Sequence, residues 1–125
     1  MNKNIVRILL VEDQIMMRLA TTTVIENVPD FELVGQASDG FEGLELARRF
    51  MPDVVLMDIG LPKIDGIEAT TRMKEAGLNC KILMFTLRGS SEDVFSALKA
   101  GADGYIMKDA SPETLVSAII AVNQG

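Results

Sequence analysis

The chain has 125 residues, a common size for one folded domain with a single hydrophobic core. Apolar residues make up 48% and charged residues 24%, so the composition excludes a disordered chain, a collagen-like repeat and a disulfide-rich miniprotein. Twelve Lys and Arg against 18 Asp and Glu give a formal net charge of −6, which argues against direct nucleic-acid binding by this segment.

The single cysteine, Cys80, and the absence of histidine limit the metal chemistry. An intramolecular disulfide and a Cys/His zinc site are excluded, so any metal would be a hard ion with oxygen ligands. The apolar run after the first four residues is broken at Glu12 and Asp13 and is too short for a signal or membrane-spanning segment. We therefore expect a soluble, cytoplasmic protein.

Five short apolar runs alternate with five helix-length segments. The runs are residues 5–11, 31–37, 54–57, 82–85 and 105–107. All except the second lack polar alternation, which predicts strands buried on both faces of a parallel sheet. The second run has Glu32 and Gln36 interleaved, so we expect it at an edge of the sheet.

Four of the helical segments begin with a capping signal. Three have an N-cap residue followed three positions later by a carboxylate, namely Asp39 with Glu42, Asp65 with Glu68, and Ser90 with Asp93. In the last segment Ser111 precedes a proline at the first helical position, where the missing N–H is not needed. In the fourth helix, residues 90–99, we expect two of the three apolar residues Val94, Phe95 and Leu98 to face the core.

This alternation predicts an α/β fold. Right-handed crossovers give an open, doubly wound parallel sheet, and five strands with five helices suit the flavodoxin-like order 2-1-3-4-5. Ligands of such sheets bind beyond the carboxyl ends of the strands, where the strand order reverses. The polar residues that end the strands there are Glu12, Asp13, Asp58, Thr86 and Lys108.

Three of these residues are carboxylates, and a pair of them at ~4 Å repels by about 4 kcal/mol at an effective dielectric constant of about 20. Mg²⁺, or Mn²⁺ in its place, would compensate this charge, with Lys108 as a further cation. Each acid taken alone is better explained as a loop-end residue, with Asp13 capping the first helix and Asp58 facing solvent. Five polar residues that each interrupt an apolar run favour one site.

Asp58 is the predicted nucleophile. A carboxylate beside a metal ion and a lysine can attack a phosphoryl group, because the cations neutralise charge on the transferring oxygens. The product would be an aspartyl phosphate. Thr86 is placed to donate its hydroxyl to a phosphoryl oxygen, although taken alone it is better explained as a β-branched residue at a strand end.

Four motifs carry a resemblance over essentially the whole chain: LVED at 10–13, MDIGLPKIDG at 57–66, Thr86, and AGADGYIMK at 100–108. In this order and spacing the chain resembles the receiver domain of two-component response regulators. The resemblance implies that Asp58 accepts a phosphoryl group from the phosphohistidine of a sensor histidine kinase. It implies a signalling domain, not an enzyme, with Mg²⁺-dependent self-phosphorylation and slow autodephosphorylation.

The resemblance also implies roles for individual residues. Glu12, Asp13 and Asp58 would hold Mg²⁺ with the backbone carbonyl of Gly60. Lys108 and Thr86 would contact the phosphoryl group. Tyr105 would exchange between exposed and buried positions together with Thr86, and the alternative is that Tyr105 only packs at an edge strand.

The segments KDASPE at 108–113 and AVNQG at 121–125 look like the NarL/FixJ type, in which the receiver precedes a helix-turn-helix output domain. Residues 1–125 would then be the receiver, with DNA binding left to a downstream domain absent from this chain. Phosphorylation would alter the surface of the fourth helix, fifth strand and fifth helix to control transcription, and homodimerisation is one expected consequence.

Three residues depart from the usual receiver pattern. Leu87 stands where the family usually has a small residue, and its bulk is expected to slow phosphoryl transfer or hydrolysis. Gln14 follows the acidic pair where Asp or His is frequent. Asp109 follows Lys108 where proline is frequent, which leaves the geometry of that peptide bond open.

Three other classes of protein fit the sequence less well. A haloacid-dehalogenase-type phosphatase needs a second Asp two residues after the nucleophile, where this chain has Gly60. A dinucleotide or flavin protein needs a glycine-rich loop after the first strand, but no glycine precedes Gly35. A pseudo-receiver acting as a constitutive protein-binding module is disfavoured because the set of five polar residues is intact.

Overall fold

The computed structural model describes residues 4–125, in which strands and helices alternate without exception. Residues 1–3 of the predicted receiver range lie outside this description. The elements in chain order are β1 (Val6–Val11), α1 (Ile15–Glu26), β2 (Phe31–Ala37), α2 (Gly40–Phe50), β3 (Val54–Met57), α3 (Gly66–Glu75), β4 (Lys81–Thr86), α4 (Ser91–Ala100), β5 (Gly104–Met107) and α5 (Pro112–Gln124). All strand pairs are parallel and the sheet order is β2-β1-β3-β4-β5, which confirms the predicted topology.

Alternate residues of each central strand enter two separate hydrophobic clusters, one on each face of the sheet. In β3, Val55 and Met57 pack beneath α2, α3 and α4, while Val54 and Leu56 pack beneath α1 and α5. All four are fully buried. The uninterrupted apolar runs of the central strands follow from this covering by helices on both faces.

The outer strands are less buried. β2 lies at one edge, as predicted, and exposes Glu32 and Gln36. The prediction that β5 is buried on both faces was wrong, because β5 is the other edge strand and only Ile106 in it is buried.

The four predicted helix caps are present. The side chains of Asp39, Asp65 and Ser90 accept hydrogen bonds from the backbone N–H three residues later, and Ser111 does the same for α5. These bonds satisfy N–H groups that have no partner within the first turn. In α1 the N-cap residue, Gln14, makes no such side-chain bond.

The prediction for α4 was wrong. Phe95 is 67% exposed and Leu98 is 51% exposed, while Val94 is half-buried. The buried residue of this helix is Ala97. Ala97 joins the core cluster beneath α2 and α3, and the larger apolar residues Phe95 and Leu98 point outward. Within residues 4–125, none of the helices has the length and apolar character that a bilayer crossing needs.

Candidate functional site

Polar residues meet at the carboxyl-end edge of the sheet because the strands end in register. Glu12 follows β1 and Asp58 follows β3, and the last residues of these two strands are paired. Lys108 follows β5, whose last residue pairs with Thr86 at the end of β4. The structure therefore brings the predicted strand-end residues to one edge of the sheet.

Glu12, Asp13 and Asp58 form a compact acidic cluster. Each offers a carboxylate oxygen, and these oxygens all lie within 4.8 Å of one another. Glu12 is 1% exposed and Asp58 is 9% exposed. The loop-end alternative was therefore wrong on both counts, because Asp58 does not face solvent and the cap of α1 is Gln14, not Asp13.

Lys108 links two of the acids. Its Nζ lies 2.5 Å from Glu12 Oε1 and 2.9 Å from Asp58 Oδ2, and its side chain is 4% exposed. Burial alone would lower the pKa of the Lys108 ammonium, but the hydrogen bonds to Glu12 and Asp58 and their negative charges outweigh it and raise the pKa. The lysine is thus a permanent cation at neutral pH.

Asp13 supplies the observation that bears on a metal. Its Oδ1 is buried and has no hydrogen-bond partner among residues 4–125. A buried carboxylate oxygen without a partner is unfavourable unless a cation supplies the missing interaction. Three carboxylates against one Lys108 leave two negative charges, and the donor set is entirely oxygen, so these residues fit Mg²⁺.

Thr86 and Tyr105 contact the same loop residue. The backbone N–H of Arg88 donates to Thr86 Oγ1 at 3.1 Å, and the Tyr105 hydroxyl donates to the backbone carbonyl of Arg88. Thr86 is 1% exposed, and burial raises the pKa of the half-buried Tyr105 phenol. The loop between β4 and α4 is further held by the Arg88 guanidinium, which bonds both carboxylate oxygens of Asp93.

The three residues that depart from the receiver pattern, Leu87, Gln14 and Asp109, are exposed. Leu87 is 70% exposed directly after Thr86. Gly60 is exposed, and a Cβ added there would meet nothing within 4 Å. The peptide bonds of residues 4–125 are all trans, including the bond from Lys108 to Asp109.

The sequence interpretation missed Arg18, which contacts the backbone of Glu12, and Ser38, which contacts Arg18. Arg18 donates from Nε and Nη2 to the backbone carbonyl of Glu12 at 3.2 and 2.8 Å. The same Nη2 donates to Ser38 Oγ at 2.6 Å. The available signals were weak: an arginine in the first turn of a helix that follows the acidic pair, and a serine at the end of the neighbouring strand.

Comparisons with known proteins agree on one family. The model of the response regulator receiver domain matches residues 8–120. The nitrate/nitrite response regulator protein NarL of Escherichia coli (strain K12) is 40% identical over 118 residues, which are 94% of this chain and 55% of that protein. The transcriptional regulatory protein YxjL of Bacillus subtilis (strain 168) is 40% identical over 125 residues, 100% of this chain and 57% of that protein.

The chain thus spans a little over half the length of these two relatives. Among solved structures, the signal receiver domain of a response regulator NarL from Mycobacterium tuberculosis superimposes with a TM-score of 0.96 at 27% sequence identity. The match covers 98% of this chain and 99% of that chain. The fold is therefore shared over its full described length.

Proposed function

The chain belongs to the family of response regulator receiver domains, and on that premise we propose that it is a phosphorylation-activated switch. In this proposal Asp58 accepts a phosphoryl group from the phosphohistidine of a sensor histidine kinase. One observation supports Asp58 over its neighbour: both acids contact Lys108, but the Asp58 side chain keeps 11% of its surface exposed while Glu12 keeps 1%. A phosphoryl donor can therefore reach the Asp58 carboxylate but not the Glu12 carboxylate.

The transfer forms one bond and breaks another. A carboxylate oxygen of Asp58 attacks phosphorus, the phosphorus–nitrogen bond of the donor breaks, and its electron pair returns to the imidazole ring. Lys108, held 2.9 Å from Asp58 Oδ2, neutralises charge on the transferring oxygens. Glu12, Asp13, Asp58 and the Gly60 carbonyl would hold Mg²⁺, which when bound supplies further charge neutralisation.

The contacts of Arg88 support a route from the phosphoryl group to the surface. Phosphorylation adds about −1.5 to −2 charges and three acceptor oxygens. The Thr86 hydroxyl, which now accepts from the Arg88 N–H, would turn to donate to one of these oxygens. Releasing that bond frees the loop that also holds the Tyr105 hydroxyl. A free-energy difference of about 5.5 kcal/mol would move the population from 1:99 to 99:1.

The altered surface would comprise α4, β5 and α5, where Phe95 and Leu98 are exposed. We propose that it acts on transcription through a DNA-binding output domain outside this chain, because the relatives NarL and YxjL are named as regulators and are nearly twice as long. Homodimerisation on phosphorylation is part of the same proposal. So are the cytoplasmic location and slow autodephosphorylation.

Intact-mass spectrometry after incubation with acetyl phosphate tests the chemistry. We expect one phosphoryl group on the parent protein in the presence of Mg²⁺ and none when EDTA removes the metal. Asp58→Asn should abolish the increment, whereas Asp109→Asn, which changes an exposed acid beside Lys108, should retain it. Labelling that survives Asp58→Asn would show that another residue is the acceptor.

Transfer from a phosphorylated histidine kinase is the second arm of the test. If the folded parent protein takes no phosphoryl group from acetyl phosphate or from any kinase tried, the chain is a pseudo-receiver that binds partners constitutively. Circular dichroism on the same samples establishes that the fold is intact.

A further inference from the structure

Arg18 connects the acidic pair, Glu12 and Asp13, to two neighbouring segments through hydrogen bonds. It lies in the first turn of α1, and its guanidinium makes two hydrogen bonds to the Glu12 carbonyl and one to Ser38 Oγ. Ser38 directly follows β2, and its own N–H donates to Glu42 Oε1 at the start of α2. One half-buried side chain therefore joins the start of α1, the end of β1 and the turn before α2.

The bond to the Glu12 carbonyl also constrains Asp13. That carbonyl and the N–H of Asp13 belong to the same planar peptide unit. A hydrogen bond that fixes the carbonyl oxygen therefore also fixes the orientation of the backbone that leads into Asp13. The carboxylate of Glu12 is oriented separately, by Lys108 at Oε1 and by the Gln14 N–H at Oε2, 3.0 Å away. Asp13 has no comparable restraint on its buried Oδ1.

We propose that Arg18 is a positioning residue for the metal site, acting through the Glu12 carbonyl, with Ser38 holding the guanidinium in place. It keeps the peptide unit between Glu12 and Asp13 in the orientation that places Asp13 to bind a divalent cation. This inference rests on the proposed function, since it requires the acidic cluster to take Mg²⁺.

Charge and positioning predict opposite effects of removing Arg18. A guanidinium close to a cation site repels the cation, so loss of its charge alone would strengthen Mg²⁺ binding. Loss of a positioning contact would weaken it, because the ligands would then have to be ordered when the ion binds. The sign of the change in affinity distinguishes the two roles.

The experiment measures the Mg²⁺ dissociation constant of the whole chain by ¹H–¹⁵N NMR titration, following amide shifts around Asp13. We expect Arg18→Ala to weaken binding about tenfold, the lower end of the range for partners that orient metal ligands. Arg18→Lys keeps the positive charge but loses the planar guanidinium that bonds the Glu12 carbonyl and Ser38 Oγ at once. We expect it to weaken Mg²⁺ binding less than Arg18→Ala does. Ser38→Ala should act in the same direction.

Arg7→Ala is the matched control. Its guanidinium also bonds a backbone carbonyl, that of Met51, at 2.9 Å, but near the start of β1 and thus at the opposite edge of the sheet. The substitution removes the same charge and the same kind of bond. We expect its Mg²⁺ affinity to stay within about twofold of the parent, because Debye screening suppresses charge effects at that distance.

Three outcomes decide the inference. An Arg18→Ala protein that binds Mg²⁺ as tightly as the parent or more tightly overturns it and leaves the proposed function intact. If Arg18→Ala does not fold, parent-like affinity in both Arg18→Lys and Ser38→Ala overturns it instead. A parent protein that binds no Mg²⁺ overturns the metal site of the proposed function and this inference with it.

Discussion

Gly66 packs against the backbone carbonyl of Asp58 so closely that a Cβ on Gly66 would lie 2.0 Å from that oxygen. The N–H of Gly66 also donates to the carbonyl of Ile59 at 2.8 Å. The start of α3 therefore packs directly against the loop that follows β3. This close contact requires glycine at position 66, because any side chain there would overlap the backbone of that loop. The position of the Asp58 carboxylate depends on this contact.

Gly66→Ala should lower both stability and phosphorylation of Asp58. The added methyl overlaps backbone atoms that cannot move without displacing Asp58, so we expect a loss of about 1–3 kcal/mol in the free energy of unfolding. Gly60→Ala is the control, since its Cβ would meet nothing within 4 Å. Urea denaturation of the two variants measures the difference, and equal stabilities would contradict the packing argument.

Asp13→Asn should stabilise the protein in metal-free buffer. The substitution removes a charge from a cluster of three carboxylates and from a buried oxygen without a partner, which we expect to raise the free energy of unfolding by about 1 kcal/mol. The same change should abolish the rise in melting temperature that Mg²⁺ gives the parent. Thermal unfolding with EDTA and with Mg²⁺ measures both, and a less stable variant in EDTA would argue against charge repulsion.

Lys108→Met should destabilise the metal-free protein by about 3 kcal/mol at pH 7, since Glu12 and Asp58 lose the cation that they share. The pKa of Lys108 is raised in the folded state, so this contribution is fully present below the ordinary value of 10.5 and is lost as the pH rises through the higher folded value. Urea denaturation of parent and variant between pH 7 and pH 11 measures it. A difference that disappears well below pH 10 would be inconsistent with the raised pKa.

Tyr105→Phe should loosen the loop between β4 and α4, because it removes the hydroxyl that bonds the Arg88 carbonyl. We expect faster hydrogen exchange at the amides of residues 87–90 and little change elsewhere. If Tyr105 only packs at the edge strand, exchange in the loop will match the parent, and Tyr105→Ala will leave phosphorylation-dependent dimerisation unchanged.

Leu87→Ala should increase the rate of phosphorylation by acetyl phosphate, of autodephosphorylation, or of both. Leu87 is 70% exposed, so its removal should change stability by less than about 0.5 kcal/mol, and a change in rate would reflect access to Asp58. Mass spectrometry over time gives both rates. Rates equal to those of the parent would show that the leucine does not restrict the site.

The strands and the acidic site were predictable because both depend on local patterns. An apolar run that ends in Glu12 or Asp58 indicates where a buried strand stops, and parallel topology then brings such ends together. The exposure of Phe95 and Leu98 was not predictable, since an apolar stripe does not say which of its residues will face the core. In α4 the buried residue is Ala97.

The contact between Arg18 and Ser38 was missed for a different reason. Their pairing joins segments twenty residues apart and depends on how the turn after β2 approaches α1. Arg18 lies within a helix and Ser38 follows an edge strand, so neither follows one of the central buried strands whose ends identified the acids.

The pairing of Lys108 with Asp58 joins residues fifty positions apart. It requires β5, the last strand in chain order, because Lys108 directly follows that strand. A chain that ends before β5 would contain Glu12, Asp13 and Asp58 but would lack the lysine that pairs with two of them. Under the proposed function, phosphoryl transfer to Asp58 would therefore require β5 to be docked at the edge of the sheet.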